Sequence, residues 1–168
     1  MSTGPDQPSY APEQVREIAA NILLFQRDNG GWPKDYDMRA VLTEEQKQQV
    51  RATRANTDTS YDNHTTHTQV AYLARAYVVT RDAALRDACR RGLEFILSSQ
   101  YPNGGFPQWW PRLGAISKRI TLNDGVMMGI MNVLKDAGGR APHFAWLDEP
   151  LSVRCAQGAQ RGLECLLK

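Results

Sequence analysis

The feature that most constrains how this chain can fold is an internal repeat. Arg91-Gly92-Leu93-Glu94-Phe95-Ile96-Leu97 returns 70 residues later as Arg161-Gly162-Leu163-Glu164-Cys165-Leu166-Leu167, with five of the seven positions identical. The turns repeat as well: Gln26-Arg27-Asp28-Asn29-Gly30-Gly31-Trp32-Pro33 is echoed by Gln100-Tyr101-Pro102-Asn103-Gly104-Gly105-Phe106-Pro107. A helix ending in Gln and followed by a Gly-Gly-aromatic-Pro turn is one supersecondary unit, and recurring units bury their apolar faces against their neighbours. Repeated helical hairpins of this size suit an (α/α) toroid, or part of one, with the turns gathered at one mouth. A third such helix ends at Lys168, so the ring is expected to have an unfinished apolar edge through which the chain could self-associate. A plain helical bundle with accidental similarity is the alternative.

The remaining patterning is helical. Pro12 suits the first position of a helix that places Val15, Ile18, Ile22 and Phe25 on one face and ends near Asp28, because two glycines and a proline cannot continue it. Thr43-Glu44-Glu45-Gln46 is a capping box opening a polar helix to about Arg54. A helix carrying Val70, Leu73 and Tyr77 and another from about Asp82 carrying Leu85, Cys89, Leu93 and Ile96 are expected to pair antiparallel. Residues 100–122 read as a long ordered loop, Asn123 as the cap of a helix through Met127, Met131 and Leu134, and the last helix starts near Glu149 with Pro150 in its first turn. No β-alternation is found, so the class is all-α. Residues 1–11, rich in Pro, Gly, Ser and Gln, are expected to be flexible, leaving 12–168 as the helical domain.

A hydrophobic content of 42% over 168 residues is enough for one globular core. Twenty Lys and Arg against eighteen Asp and Glu give +2, which argues against a nucleic-acid or membrane partner. Cys89, Cys155 and Cys165 lack zinc-site spacing and read as small core residues. No apolar run approaches the roughly 18 residues of a membrane span, and the first residues carry no signal-peptide pattern.

Polar and aromatic residues concentrate in four segments at helix ends: Gly30-Gly31-Trp32-Pro33-Lys34-Asp35, Tyr61-Asp62-Asn63-His64-Thr65-Thr66-His67-Thr68-Gln69, residues 100–111, and Ile120-Thr121-Leu122-Asn123-Asp124. Helix capping is the ordinary reason for Asp62 or Asn123. His64 and His67, three apart, could form a zinc site with Asp62. Across residues 18–168 the four segments, in order, resemble pectate lyases of polysaccharide lyase family 10, whose pattern has a Gly-Gly-Trp-Pro-Lys turn, an Asp-Asn-x-Ala-Thr-x-Thr-Gln helix start, an Asn-Gly-Gly-Trp-Pro-Gln turn and a Phe-Asn-Asp segment. The departures are Asp35 for Asn, Thr65 for Ala, Phe106 for Trp and Leu122 for Phe, with His64 and His67 inside the second motif.

The resemblance implies calcium-dependent β-elimination of polygalacturonate by an (α/α) toroid, and secretion or a periplasmic location, since pectin is extracellular. The C5 proton of a galacturonate is weakly acidic, so cleavage needs the adjacent carboxylate neutralised and the developing anion stabilised. Calcium takes six to eight oxygen ligands, which Asp and Asn side chains, water and a sugar carboxylate can supply. The motif carries that role to Asp62, Asn63 and Asp124. Lys34, Arg112 and Lys118 are candidates to meet substrate carboxylates, Asn103 to hydrogen-bond the sugar, and Trp32 and Trp109 to stack on sugar rings. The family's arginine base is implied to lie beyond the segment matched here, which leaves Arg119 as the candidate within the chain. A pectate-binding module without catalysis and a helical scaffold stay open beside the lyase reading.

Overall fold

The computed structural model describes residues 7–111 and 119–168. These residues form six α-helices: α1 (Val15–Phe25), α2 (Glu44–Ala52), α3 (His67–Thr80), α4 (Ala83–Ser98), α5 (Val126–Gly138) and α6 (Glu149–Leu166), with short 3-10 turns at Asp62–His64, Asn123–Gly125 and Pro142–Phe144. Among the described residues there is no strand, only isolated bridges. The protein is all-α, built of helical hairpins α3–α4 and α5–α6 set along the arc of an (α/α) toroid. Among the described residues no helix is long and apolar enough to cross a membrane.

Local chemistry places the helix ends. Thr43 and Gln46 close the expected capping box on α2. Asp82 accepts a hydrogen bond from the Ala84 N–H, and Asp148 one from the Leu151 N–H, at the starts of α4 and α6. The expected cap at Asn123 does not form: α5 begins after Gly125, whose φ is +69°, without a side-chain cap. Residues 7–11 are tied down, with Tyr10 N–H donating to the Arg39 carbonyl at 2.7 Å and Val41 N–H to that of Pro8 at 2.7 Å.

The repeat is reproduced atom by atom. Gln26 Nε2 donates to the carbonyls of Gly30 and Ala88, both at 2.9 Å, and Arg91 donates to its Oε1. Seventy-four residues on, Gln100 Nε2 donates to the carbonyls of Gly104 and Gly158, and Arg161 donates to its Oε1. Each Gln thus clamps its own turn onto the next hairpin. The turns lie so close that a Cβ on Gly30 would sit 2.5 Å from the Arg91 carbonyl oxygen, and one on Gly104 2.1 Å from that of Arg161. With φ of +95° and +92°, both positions require glycine twice over. Accidental similarity does not produce matched tertiary contacts. The core includes Leu73, Leu93, Ile96, Met127, Ile130, Leu134 and Phe144, with Cys89 and Cys155 buried as expected and Cys165, against expectation, only half-buried.

Candidate active site

The four polar segments converge. Residues 59–61 run between the two repeated turns: Ser60 N–H donates to the Trp32 carbonyl at 3.0 Å on one side, and Tyr61 N–H to the Gln108 carbonyl at 2.9 Å on the other. Buried Tyr61 anchors the segment through a 2.5 Å hydroxyl contact with Ser99. The next residue, Asp62, is delivered between the turns with only 5% of its surface exposed. Lys34 Nζ lies 2.5 Å from Asp62 Oδ2, and Gln108 Nε2 donates to Oδ1 at 2.7 Å. Lys34 and Gln108 occupy equivalent places in the repeat, each just after the turn proline. One carboxylate therefore receives a donor from each copy of the turn.

The backbone around it is strained. Asn63 (φ +48°), His64 (+62°), Thr66 (+68°) and Asp124 (+50°) are all left-handed non-glycine residues, and strain of this kind, about 1–3 kcal/mol each, persists only where the surroundings hold it. For β-branched Thr66 that hold is visible: its fully buried hydroxyl donates to the Ser60 carbonyl at 2.7 Å and accepts from Trp32 N–H at 3.3 Å.

Burial alone would raise the Asp62 carboxyl, but the hydrogen bonds it accepts from Lys34 and Gln108 outweigh it, and it sits below the usual carboxylate range. Lys34 is held protonated, raised chiefly by its hydrogen bond to Asp62 against a smaller desolvation cost, with Asp35 and Asp124 adding attraction. Asp124, exposed, lies within hydrogen-bonding reach of Asp62 and accepts from Asn123 Nδ2 at 2.6 Å. Neither Asp62 nor Asn123 caps a helix. An ammonium surrounded by three carboxylates marks a place that favours positive charge.

A sequence profile of the pectic acid lyase family matches residues 26–168. The chain belongs to that family. Two solved structures of a family 10 polysaccharide lyase from Cellvibrio cellulosa resemble it: a point mutant in complex with trigalacturonic acid, at 27% identity and a TM-score of 0.79, and the lyase itself, at 26% and 0.74. In both cases 90% of this chain is covered, but only 45% of the other, so the chain spans about half the length of these lyases. No curated protein sequence matches it.

Within this pectic acid lyase domain the expected site residues separate. Asp62, Lys34 and Asp124 come together, and Asn63, exposed beside Asp62, donates its N–H to Asp62 Oδ1 at 3.1 Å. Trp32 is corrected: it is fully buried, its Nε1 donating to the Ile22 carbonyl at 2.7 Å, so it plugs the core and presents no face to a sugar. Phe106, its repeat equivalent, is likewise buried. Trp109 is half-buried and bridges to Ser60, next to Asp62. Asn103 uses its Oδ1 to hold its own turn, accepting from Gly105 N–H at 3.2 Å, and lines a surface cleft with Tyr101, Arg119 and Ile120. Arg119 lies in that same cleft. Arg112 and Lys118 lie outside the described residues.

Among the described residues no three His, Cys, Asp or Glu side chains are grouped to hold a metal, so the alternative of a zinc site at Asp62, His64 and His67 does not form. Calcium needs no such triad. Two carboxylates, an amide and solvent or substrate oxygens are a suitable hard-oxygen set, and Asp62, Asp124 and Asn63 could supply it. Sequence reasoning missed Gln108 as a site residue. The repeat carried the signal, since Lys34 was singled out and Gln108 is its counterpart.

Proposed function

We propose that this domain acts on polygalacturonate as a calcium-dependent pectate lyase, cleaving by β-elimination. The observation that supports it is the carboxylate of Asp62, held between the two repeated turns by Lys34 and Gln108 with Asp124 beside it, in a member of the pectic acid lyase family. Calcium, when bound, would neutralise the uronate carboxylate and make the C5 proton easier to remove. Asp62 and Asp124 hold that charge in place, with Asn63 at its edge. Lys34, kept protonated by Asp62, supplies a fixed positive charge for the sugar carboxylate and does not serve as the base. Trp109 offers the half-exposed face for a sugar ring. Arg119, in its cleft with Tyr101 and Asn103, is suited to contact a neighbouring uronate. An extracellular substrate supports secretion or a periplasmic location, and the groove between α5 and α6, lined in part by Met128, Met131 and Leu163, is the surface proposed for self-association.

One observation favours a second reading, binding without cleavage: among the described residues, the side chains that hold the Asp62 carboxylate are a protonated Lys34 and the Gln108 amide, and neither is a base. Release of unsaturated oligogalacturonides, followed by ultraviolet absorbance with calcium and with chelator, separates the two. A calcium-dependent rise that Asp62→Ala abolishes supports the lyase. Calcium-dependent retention on polygalacturonate with no rise supports the binding module, and neither signal from folded protein refutes both.

A further inference from the structure

Asp62 and Asp124 sit on segments separated by 62 positions in the chain, so only non-covalent contact sets the gap between their carboxylates. That contact is a seam where the start of α3 meets the start of α5. His64 lies over Gly125, where an added Cβ would be 2.8 Å from its Cε1, and His67 lies over Gly129, where the distance would be 2.2 Å. Both imidazoles therefore rest on the bare backbone of the segment that carries Asp124, at right angles to each other with centroids 5.8 Å apart. His67 is 94% buried, and its Nε2 has no hydrogen-bond partner. Burying an imidazole nitrogen unpaired is unfavourable, and an aliphatic side chain would fill the space without that cost. Stability does not account for the residue, whereas a flat, rigid ring pressed on a backbone that cannot rotate away makes a spacer of fixed thickness.

We propose that His64 and His67, seated on Gly125 and Gly129, are positioning residues that set the separation of Asp62 and Asp124 and so tune the cation site. This rests on the cation site proposed above. It makes the glycines as necessary as the histidines: the seam is too thick if Gly129 gains a side chain and too thin if His67 loses its ring.

The test measures the affinity for Tb³⁺, a luminescent, oxygen-seeking stand-in for calcium, alongside thermal midpoints, for the wild type, Gly129→Ala, His67→Ala and the double variant. Each single change is expected to weaken Tb³⁺ binding about 10- to 100-fold, the range for residues that orient metal ligands. The double variant, which exchanges ring for methyl in one seam, should recover to within about tenfold of the wild type, a non-additivity expected only of residues in contact. A purely structural role predicts that the thermal midpoints fall while the folded variants keep the wild-type affinity for Tb³⁺. The proposal is overturned if folded Gly129→Ala binds like the wild type, if the double variant is as weak as the summed singles, or if the wild type binds no Tb³⁺, which would remove the cation site as well. If Gly129→Ala fails to fold, recovery of the double variant relative to His67→Ala decides the matter. The expected order in a protein that releases no unsaturated product supports the spacer and overturns only the lyase reading.

Discussion

Acid should destabilise this fold through His67. Burial, with a smaller repulsion from His64, pushes its imidazole from 6.5 down to about 4. A folded pKa below the unfolded one means that the unfolded chain takes up the proton first. Stability is therefore unaffected by this group above about pH 6.5, falls as the pH drops towards 4, and loses nothing further below that. At about 1.4 kcal/mol per pH unit, the interval amounts to about 3 kcal/mol, a large share of the roughly 5–15 kcal/mol that holds a domain together. Urea denaturation followed by circular dichroism at pH 7 and pH 4 measures the loss, and His67→Gln, neutral at both, serves as the reference. Carboxylates titrate in both proteins, so the excess loss in the wild type isolates His67. An equal loss in the two, within about 1 kcal/mol, would refute the reasoning, because it would mean that the imidazole is free to charge in the folded protein.

Gly104→Ala, which forces a Cβ to 2.1 Å from the Arg161 carbonyl at a φ of +92°, should cost about 2 kcal/mol or more, read as a lowered thermal midpoint. Trp32→Ala should cost about 3–5 kcal/mol as a core cavity, whereas Trp109→Ala should leave the thermal midpoint nearly unchanged and weaken retention on polygalacturonate. Gln108→Leu removes a donor that lowers the Asp62 carboxyl, so its titration, followed by carbon NMR, should move to higher pH, and stability at neutral pH should fall by about 1–3 kcal/mol.

What could be read from the sequence was what depends on local periodicity and on self-comparison. The capping box at Thr43, the pairing of α3 with α4, and the recurrence of a Gln before each Gly-Gly turn all follow from residues close together or from two copies of one pattern. Burial of individual aromatics did not follow. Trp32 and Trp109 both lie in turn segments that contain proline, yet only the fold reveals that Trp32 is fully buried and Trp109 half-buried. Phe106 at the position equivalent to Trp32 was a clue, because a hydrogen-bond donor is dispensable in a core plug. Asp62 and Asn123 look like caps because capping is local, but Asp62 has partners in Lys34 and Gln108 that only tertiary structure provides, and Asn123 donates to Asp124 beside it. His64 and His67 looked like ligands because their partners, Gly125 and Gly129, have no side chains to announce them.

The repeat also explains why the site is asymmetric. Two copies of the turn offer one side chain each to Asp62, and a duplicated lysine would place two ammonium groups on one carboxylate, leaving little attraction for a metal. A duplicated amide would leave a nearly buried carboxylate with no opposite charge, raising its pKa and favouring the protonated form. Lysine in one copy and glutamine in the other keeps Asp62 ionised while spending a single positive charge. Formally, Asp35, Asp62 and Asp124 against Lys34 leave two net negative charges around the ammonium, which is the complement of one divalent cation. Divergence between copies at this one position thus turns a structural repeat into a site whose charge matches its proposed occupant.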